Sequence, residues 1–525
     1  MSETPDNGPL LLAIDQGTQS VRAMLFDQAG TLVARSQVHI DAYFSERPGY
    51  AEQHCDYFWD SLCRACQQLW ETHGALRSRV RGAALTTQRA SVVCLDEYHQ
   101  PLRPAIIWLD QRRTSDFPQL PWWLAAPVAL IGQRQILRQF QSKAECNWLA
   151  ADEPDIWART RHFLLLSGYL TYRLTDRLCD ARASQVGYLP FDFRRGDWAG
   201  PQDLKWRALR VRREQLPPLL EAGELIGPIS EAAASATGIP PGTLFYAAGA
   251  DKACEVLGAG ALTPDIGSLS YGTTATYNTC NTRYVEPQPF VPPYQAAVPG
   301  RYNSEIIVQR GYWMVNWFKR EFAQAEVMEA ARQGIEPEVL FESLLRQSPP
   351  GAMGLMLQPF WNPGVRFPGP EAKGAIIGFG DVHTRAHLYR AIIEGIGYAL
   401  RDGKEQLARR NRVPVTRLRV SGGGSQSDLI MQITADIFGL PAERPHTSET
   451  SGLGAAINAA VGAGLYPDHA GAVAAMTRTG QVFQPDPERH ALYERLYREV
   501  YRALYGRLSP LYRRIRSITG YPRTP

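Results

Sequence analysis

One short pattern occurs twice in this chain, near the start of each half. Leu11-Leu12-Ala13-Ile14-Asp15-Gln16-Gly17-Thr18-Gln19-Ser20-Val21-Arg22-Ala23-Met24-Leu25-Phe26-Asp27 reads as an apolar strand, a Gly/Thr/Ser turn and a second apolar strand. Ser268-Leu269-Ser270-Tyr271-Gly272-Thr273-Thr274-Ala275-Thr276-Tyr277-Asn278 repeats the layout. Such a turn aims backbone N–H groups and short hydroxyls at one spot, which suits an anionic phosphate. Gly17 and Gly272 are expected to permit close backbone approach and positive φ. Two phosphate turns on two similar halves imply a nucleotide held in a cleft between them. Asp251 lies between the turns in chain order, and it is the candidate base of an ATP-dependent phosphoryl transfer.

A chain of 525 residues exceeds a single core, and two α/β halves are expected. Its net charge of +4 is small for that length, and the basic residues are spread out, which argues against nucleic acid as a partner. The local excess at Arg495–Arg516 carries Tyr493, Tyr497, Tyr501 and Tyr505 at four-residue spacing. That pattern predicts a C-terminal helix packing its tyrosines, with the arginines solvated. No apolar run is long enough for a membrane span, and Met1–Pro9 lacks the apolar centre of a secretory leader. The expected compartment is the cytoplasm. The eight cysteines are scattered; Cys63 and Cys66 have CxxC spacing, but are read as two thiols on a helix from Cys55 to His73.

Along the chain, Thr31–Ile40 reads as a third strand after the turn Asp27–Gly30. Val80–Thr87 and Ser91–Asp96 follow as strands, and Ala105–Leu109 as an apolar run. After a mostly helical stretch, Leu244–Ala248 is a short strand running directly into Asp251. The division is placed at residue 248, giving halves 8–248 and 249–515. The second half predicts helices near Gly311–Gln324 and Thr384–Arg410, a strand Arg417–Val420, and a helix Gln426–Phe438 after Gly422-Gly423-Gly424. A small-residue helix, Ser451–Gly462, suits tight packing on a sheet.

Phosphoryl transfer needs anion cradles, a divalent cation and a group that positions the attacking hydroxyl. The first turn offers Thr18, Ser20 and the fixed charge of Arg22. Asp15 would repel a bare triphosphate, so Mg²⁺ bridging through water is its natural role. Asp251 follows a strand and precedes a helix, where it serves either as an N-cap or as the acceptor of the substrate hydroxyl proton. The Gly422–Gly424 run leaves a flat ring or a phosphate unobstructed. It lacks the further glycine of a dinucleotide fingerprint, which with the missing early helix excludes a nicotinamide dehydrogenase, and there is no Walker A sequence.

Taken together, Asp15–Arg22, Thr87-Gln88-Arg89, Trp108–Arg112, Gly249-Ala250-Asp251, Tyr271-Gly272-Thr273 and Leu418–Gly424 with Met431–Asp436 resemble the FGGY family of carbohydrate kinases, in family order, over residues 10 to 505. The resemblance implies a fold of two duplicated actin-like, RNase H-like α/β domains closing over Mg-ATP and a sugar or polyol. It implies that Thr18, Ser20, Arg22, Gly272 and Thr273 meet the phosphates and that Asp15 lies near the metal. Gly422, Gly423, Gly424 and Ser427 would lie beside the adenosine. Asp251 matches the family's general base, and Gln88, Arg89, Trp108 and Asp110 belong to the sugar-pocket segments. Members often form homodimers or homotetramers.

Departures narrow the substrate. Glycerol kinases usually carry Glu where this chain has Ala90, and their pocket tyrosine falls on Phe140; both losses argue against glycerol. Xylulokinases favour Gln-Met-His where this chain has Gln88-Arg89-Ala90, so D-xylulose is not favoured either. The glycine of Gln309–Met314 is shifted by one, which leaves Gly311 without a nucleotide role. The competing reading is an actin-fold ATP-binding sensor, chaperone or scaffold without kinase activity. Asp251 and the segments at Gln88-Arg89 and Trp108–Arg112 are features that a pure nucleotide switch would not need.

Overall fold

Seven consecutive buried residues, Leu10–Gln16, form β1 of the computed structural model, which describes residues 8–130, 133–364 and 367–521. A strand buried on both faces reads as a continuous apolar run rather than an alternation. Its side chains divide by period two: Leu10, Leu12 and Ile14 enter one core cluster, and Leu11 and Ala13 another. β1 pairs antiparallel with β2 (Ser20–Phe26), which pairs antiparallel with β3 (Leu32–His39). β4 (Val80–Thr87) runs parallel to β1, and β6 (Leu244–Ala250) parallel to β4, with β5 (Leu225–Pro228) antiparallel at the edge. The sheet order is β5-β6-β4-β1-β2-β3.

The second sheet repeats this plan. β7 (Ile266–Tyr271), β8 (Ala275–Asn281) and β10 (Tyr302–Val308) form the antiparallel meander, with the short β9 (Tyr294–Gln295) at its edge. β11 (Arg417–Ser421) is parallel to β7, β12 (Ala442–Pro445) parallel to β11, and β13 (Thr479–Phe483) antiparallel at the far edge. The chain is thus α/β with a duplicated core. The duplication differs in two respects: the second sheet carries the extra strand β9, and the antiparallel edge strand precedes its inner neighbour in the first sheet but follows it in the second.

Helix α1 (Cys55–His73) covers one face of the first sheet, burying Phe58, Leu62, Cys66 and Leu69 at helical spacing. Cys63 and Cys66 are buried free thiols, as the sequence implies. The opposite face is covered by the small-residue helix, here Thr450–Gly462, which comes from the far end of the chain and also packs on α2 (Asp251–Gly258). Gly258 and Gly454 explain the closeness of that crossing. A Cβ on Gly258 would stand 2.0 Å from Thr450 O, and one on Gly454 would stand 1.9 Å from Cys254 O.

The C-terminal tyrosines pack as their spacing implies. Tyr493, Tyr497 and Tyr501 are buried around Tyr398, with ring centroids 6.2, 6.1 and 5.2 Å away. A four-residue spacing drifts off one face of a 3.6-residue helix. The π-helical turn Leu496–Tyr501, between the α-helices Pro487–Arg495 and Arg502–Thr519, absorbs the drift and keeps each ring inward. Among the described residues no helix is long and apolar enough to cross a membrane.

Candidate active site

The carboxyl ends of the parallel strands β1, β4 and β6 meet at one edge of the first sheet, where open α/β sheets hold their ligands. Gln88 N donates to Gln16 O at 2.9 Å, and the register pairs Ala250 with Thr87. This alignment brings the first turn, Gln88-Arg89 and Asp251 together, although they are far apart in the chain.

The first turn is closed by Gly17 N donating to Ser20 O at 3.0 Å. That closure sets Asp15 directly opposite Arg22 across the β1–β2 pair, and their side chains form an ion pair at 2.9 Å. The turns do not use the backbone freedom expected of them: neither Gly17 nor Gly272 has positive φ. A Cβ on Gly17 would lie 3.1 Å from Ser20 O, so that glycine serves close approach, whereas one on Gly272 would meet Thr274 O at an ordinary 3.4 Å contact. The second turn is buttressed by Tyr312 N and Trp313 N, which donate to Gly272 O and Thr273 O at 3.1 and 3.2 Å. The backing helix is Trp313–Phe322, and Gly311 packs on Ala275, where a Cβ would meet Ala275 N at 2.3 Å. The Thr18 hydroxyl donates to Gln88 Oε1 at 3.2 Å and accepts from Trp108 Nε1 at 3.0 Å. A residue assigned to phosphate is therefore bonded to two assigned to the sugar.

Asp251 is the first residue of α2, whose N-cap is Ala250, so the capping role is not its own. Its Oδ1 accepts from Lys252 N at 2.7 Å and lies 3.9 Å from Arg89 Nε. Burial pushes its carboxyl above the usual carboxylate range against the pull of Lys252 and Arg89. Burial also lifts Asp15, to about 6, opposed by Arg22 and reinforced by Asp251 and Glu449.

Asp110 uses both oxygens within the protein. Oδ1 accepts from Arg112 N and Nε, and Oδ2 from Ala51 N at 2.6 Å and Arg112 Nη2 at 2.7 Å. The Arg112 guanidinium lies in the corner formed by the edge-to-face Tyr50 and Trp148 rings, 4.0 and 4.4 Å from their centroids. In the glycine run Gly422 adopts φ 84°, and a Cβ on Gly424 would strike the Tyr312 ring at 2.3 Å. Gly423 faces open space. The helix after the run begins at Asp428 rather than Gln426, because Gly423–Gln426 forms a 3₁₀ turn and Ser427 caps the helix through Ile430 N. Ser20 and Thr273 hydroxyls make no hydrogen bond among the described residues.

Several site residues escape a sequence reading. Glu449, from the C-terminal half, holds Arg22 at 2.5 Å and Arg35 at 2.6 Å. Lys252 Nζ donates to Glu255 Oε2 at 2.5 Å and Ser270 Oγ at 2.7 Å, while Ser421 Oγ donates to Glu255 Oε1 at 2.6 Å. That chain links Asp251's helix to the ends of β7 and β11. Glu305 holds Arg89. Both amide atoms of Gln16, with Gln88 Nε2 and Arg22 Nε, are buried without a hydrogen-bond partner. Buried polar groups are ordinarily satisfied, so an orphaned set at one sheet edge marks where a polar ligand belongs.

Known proteins resemble this chain over nearly its whole length. Family models described as the N-terminal and C-terminal domains of the FGGY family of carbohydrate kinases match residues 10–258 and 267–463. The uncharacterized sugar kinase YgcE of Escherichia coli K12 is 28% identical, covering 94% of this chain and 93% of its own. A xylulose kinase of Staphylococcus epidermidis is also 28% identical, covering 97% of this chain and 99% of its own. The crystal structure of xylulose kinase from Rhodospirillum rubrum superposes with a TM-score of 0.79 at 26% identity, covering 96% of this chain and all of that one (100%). With duplicated actin-like halves and both family domains in order, this chain belongs to the FGGY family of carbohydrate kinases, phosphotransferases with an alcohol group as acceptor.

Proposed function

We propose that this chain transfers the γ-phosphate of Mg-ATP to a hydroxyl of a sugar, ketose or polyol other than glycerol, with Asp251 as the proton acceptor. The observation that carries the reading is Asp251 itself: a carboxylate made more basic by burial, at a strand end beside Gln88-Arg89 and in the electrostatic field of Asp15. The acceptor oxygen attacks the γ-phosphorus, the bond to the ADP oxygen breaks, and the hydroxyl proton passes to Asp251. General-base help of this kind contributes ~10²–10⁴-fold.

Thr18, Ser20, Arg22, Gly272 and Thr273 are assigned to the phosphates, and Gly422–Gly424 with Ser427 to the adenosine, Gly423 having the open face. Bound Mg²⁺ would neutralise phosphate charge, with Asp15 holding it through water. The acid-rich cleft fits a cation that arrives with the nucleotide, since no cluster of three or more His, Cys, Asp or Glu side chains is arranged to hold a metal among the described residues. Ala90 and Phe140 remove the two polar contacts that favour glycerol. The sugar side is assigned to residues 8–248 and the nucleotide side to 249–515, in a cytoplasmic homodimer or homotetramer.

ADP release measured over C3–C7 polyols and ketoses tests the reading. Acceptor-dependent release is the expected result. ATP binding without turnover on any acceptor would favour the sensor or scaffold reading instead.

A further inference from the structure

Glu305 lies on β10 of the second sheet, paired with Asn278 of β8, and its side chain is 1% exposed. Its two oxygens accept from Arg89 Nη1 at 2.7 Å and Nη2 at 3.2 Å, a bidentate pair. Arg89 belongs to the other half, just past β4. The same guanidinium sits 5.3 Å from the Tyr294 ring and turns Nε toward Asp251 at 3.9 Å. Burial alone would ease the proton off Arg89, but Glu305 and then Asp251 hold its pKa above the ordinary value.

A permanent, partly buried cation beside the base would draw an anionic group into the acceptor side unless another charge cancelled it. An open arginine fork is the standard partner of a carboxylate. Here the fork is filled from behind by the opposite half of the protein, and only the Nε edge faces Asp251.

We propose that Glu305 is a specificity-determining positioning residue: by gripping Arg89 across the cleft it makes the acceptor pocket charge-balanced, so that uncharged sugars or polyols enter and sugar acids are rejected. The inference rests on the kinase reading above and on Arg89 lining the acceptor side. A sugar carboxylate seated on Arg89 would have to displace Glu305, leaving that buried carboxylate unpaired, and the negative Asp251 adds repulsion in the same direction.

The test compares kcat/KM for neutral acceptors (D-xylulose, D-ribulose, xylitol, ribitol) with D-xylonate and D-gluconate. The wild-type enzyme is expected to favour the neutral set. Glu305→Gln keeps the shape and frees the charge of Arg89, and should raise the acid-to-neutral ratio at least ~10-fold with the KM for ATP unchanged. The double variant Arg89→Gln/Glu305→Gln restores neutrality and should return the ratio to the wild-type value.

A purely structural staple would lower both acceptor classes alike, and that outcome overturns the inference while leaving the kinase reading intact. A wild-type preference for acids overturns it too. Absence of turnover on every acceptor would remove the kinase reading and this inference together. Should Glu305→Gln fail to fold, as judged by its melting curve, Arg89→Gln supplies the test. It leaves Glu305 unpaired and should push the ratio at least ~10-fold below wild type, whereas equal loss on both classes overturns the proposal.

Discussion

Asp251→Asn separates chemistry from folding more cleanly than any other single change in the cleft. The amide keeps the shape and an oxygen able to accept from Lys252 N, now at 2.7 Å, but it cannot take a proton. Loss of general-base help is expected to lower kcat by ~10²–10⁴, or about 2.7–5.4 kcal/mol in barrier height. Stability should move the other way. Burial raises the Asp251 pKa, so its favourable contribution exists below the unfolded value and is lost as pH rises through the folded one. At pH 7–8 the charged carboxylate therefore weakens the fold, and the amide relieves it. The side chain is 30% exposed, and solvent screening keeps that gain below about 1 kcal/mol, a rise of no more than ~2–4 °C in Tm. Steady-state ADP release with a thermal melt reads both quantities. A variant with wild-type kcat refutes the base assignment; a slow variant that also melts early and loses ATP affinity means that Asp251 acts on structure.

Arg22→Ala should raise the KM for ATP at least ~10-fold and cost ~3–5 kcal/mol of stability, because it strands Asp15, 3% exposed, as an unpaired buried carboxylate and leaves Glu449 to Arg35 alone. Unchanged nucleotide kinetics would remove Arg22 from the phosphate site. Gly454→Ala inserts a methyl group where 1.9 Å separates it from Cys254 O, so α2 must shift; a loss of ~1–3 kcal/mol is expected in denaturant unfolding, and an unaltered midpoint would contradict the crossing. Trp108→Phe deletes the bond to Thr18, worth ~0.5–1.5 kcal/mol, and should raise the KM for acceptor while sparing the KM for ATP. Equal changes in both would place Trp108 outside the acceptor pocket.

What the sequence makes legible here is local. The two strand–turn–strand units are readable because β1 opens on the unbroken apolar run Leu10–Ile14, β7 and its turn repeat the same layout, and both turns are built from small polar residues. Asp251 is readable because a buried strand ends just before it. The helix over Cys55–His73 follows from its own periodicity. Glu305 and Glu449 are not readable: Glu305 lies within a strand and Glu449 in a Ser/Thr turn leading into a helix, and each meets its arginine 216 or 427 residues away only when the halves dock. Lys252 reads as an ordinary surface lysine until α2 turns it toward Glu255 and Ser270. The small-residue helix announces tight packing, but nothing in its sequence says that the sheet beneath it belongs to the other half. The positive φ expected at Gly17 and Gly272 is absent: Gly17 is required by the closeness of Ser20 O rather than by its own backbone, and Gly272 by neither. Gly422, by contrast, needs both: φ 84°, and room beside the Tyr271 backbone, where a Cβ would stand at 2.8 Å.

The ion pairs of the cleft also bear on how the two halves come to act as one enzyme. Asp15, Asp251, Glu255, Glu305 and Glu449 face Arg22, Arg35, Arg89 and Lys252, so carboxylates outnumber cations at the proposed triphosphate site. Three of the four cations reach from the first half to carboxylates of the second: Arg22 and Arg35 to Glu449, and Arg89 to Asp251 and Glu305. The contacts that dock the domains are therefore the contacts that set the charge of the site, and neither half carries the site alone. Excess negative charge would repel bare ATP, whereas a divalent cation bound to the phosphates cancels part of their charge and offers the carboxylates a positive partner. Nucleotide should accordingly bind far more weakly without Mg²⁺, and the dependence should steepen in Arg22→Ala, where one compensating cation is gone. Calorimetric titration of ATP with and without Mg²⁺ on both proteins measures this directly, and equal affinity for the free and metal-bound nucleotide would break the link between domain docking and the charge of the cleft.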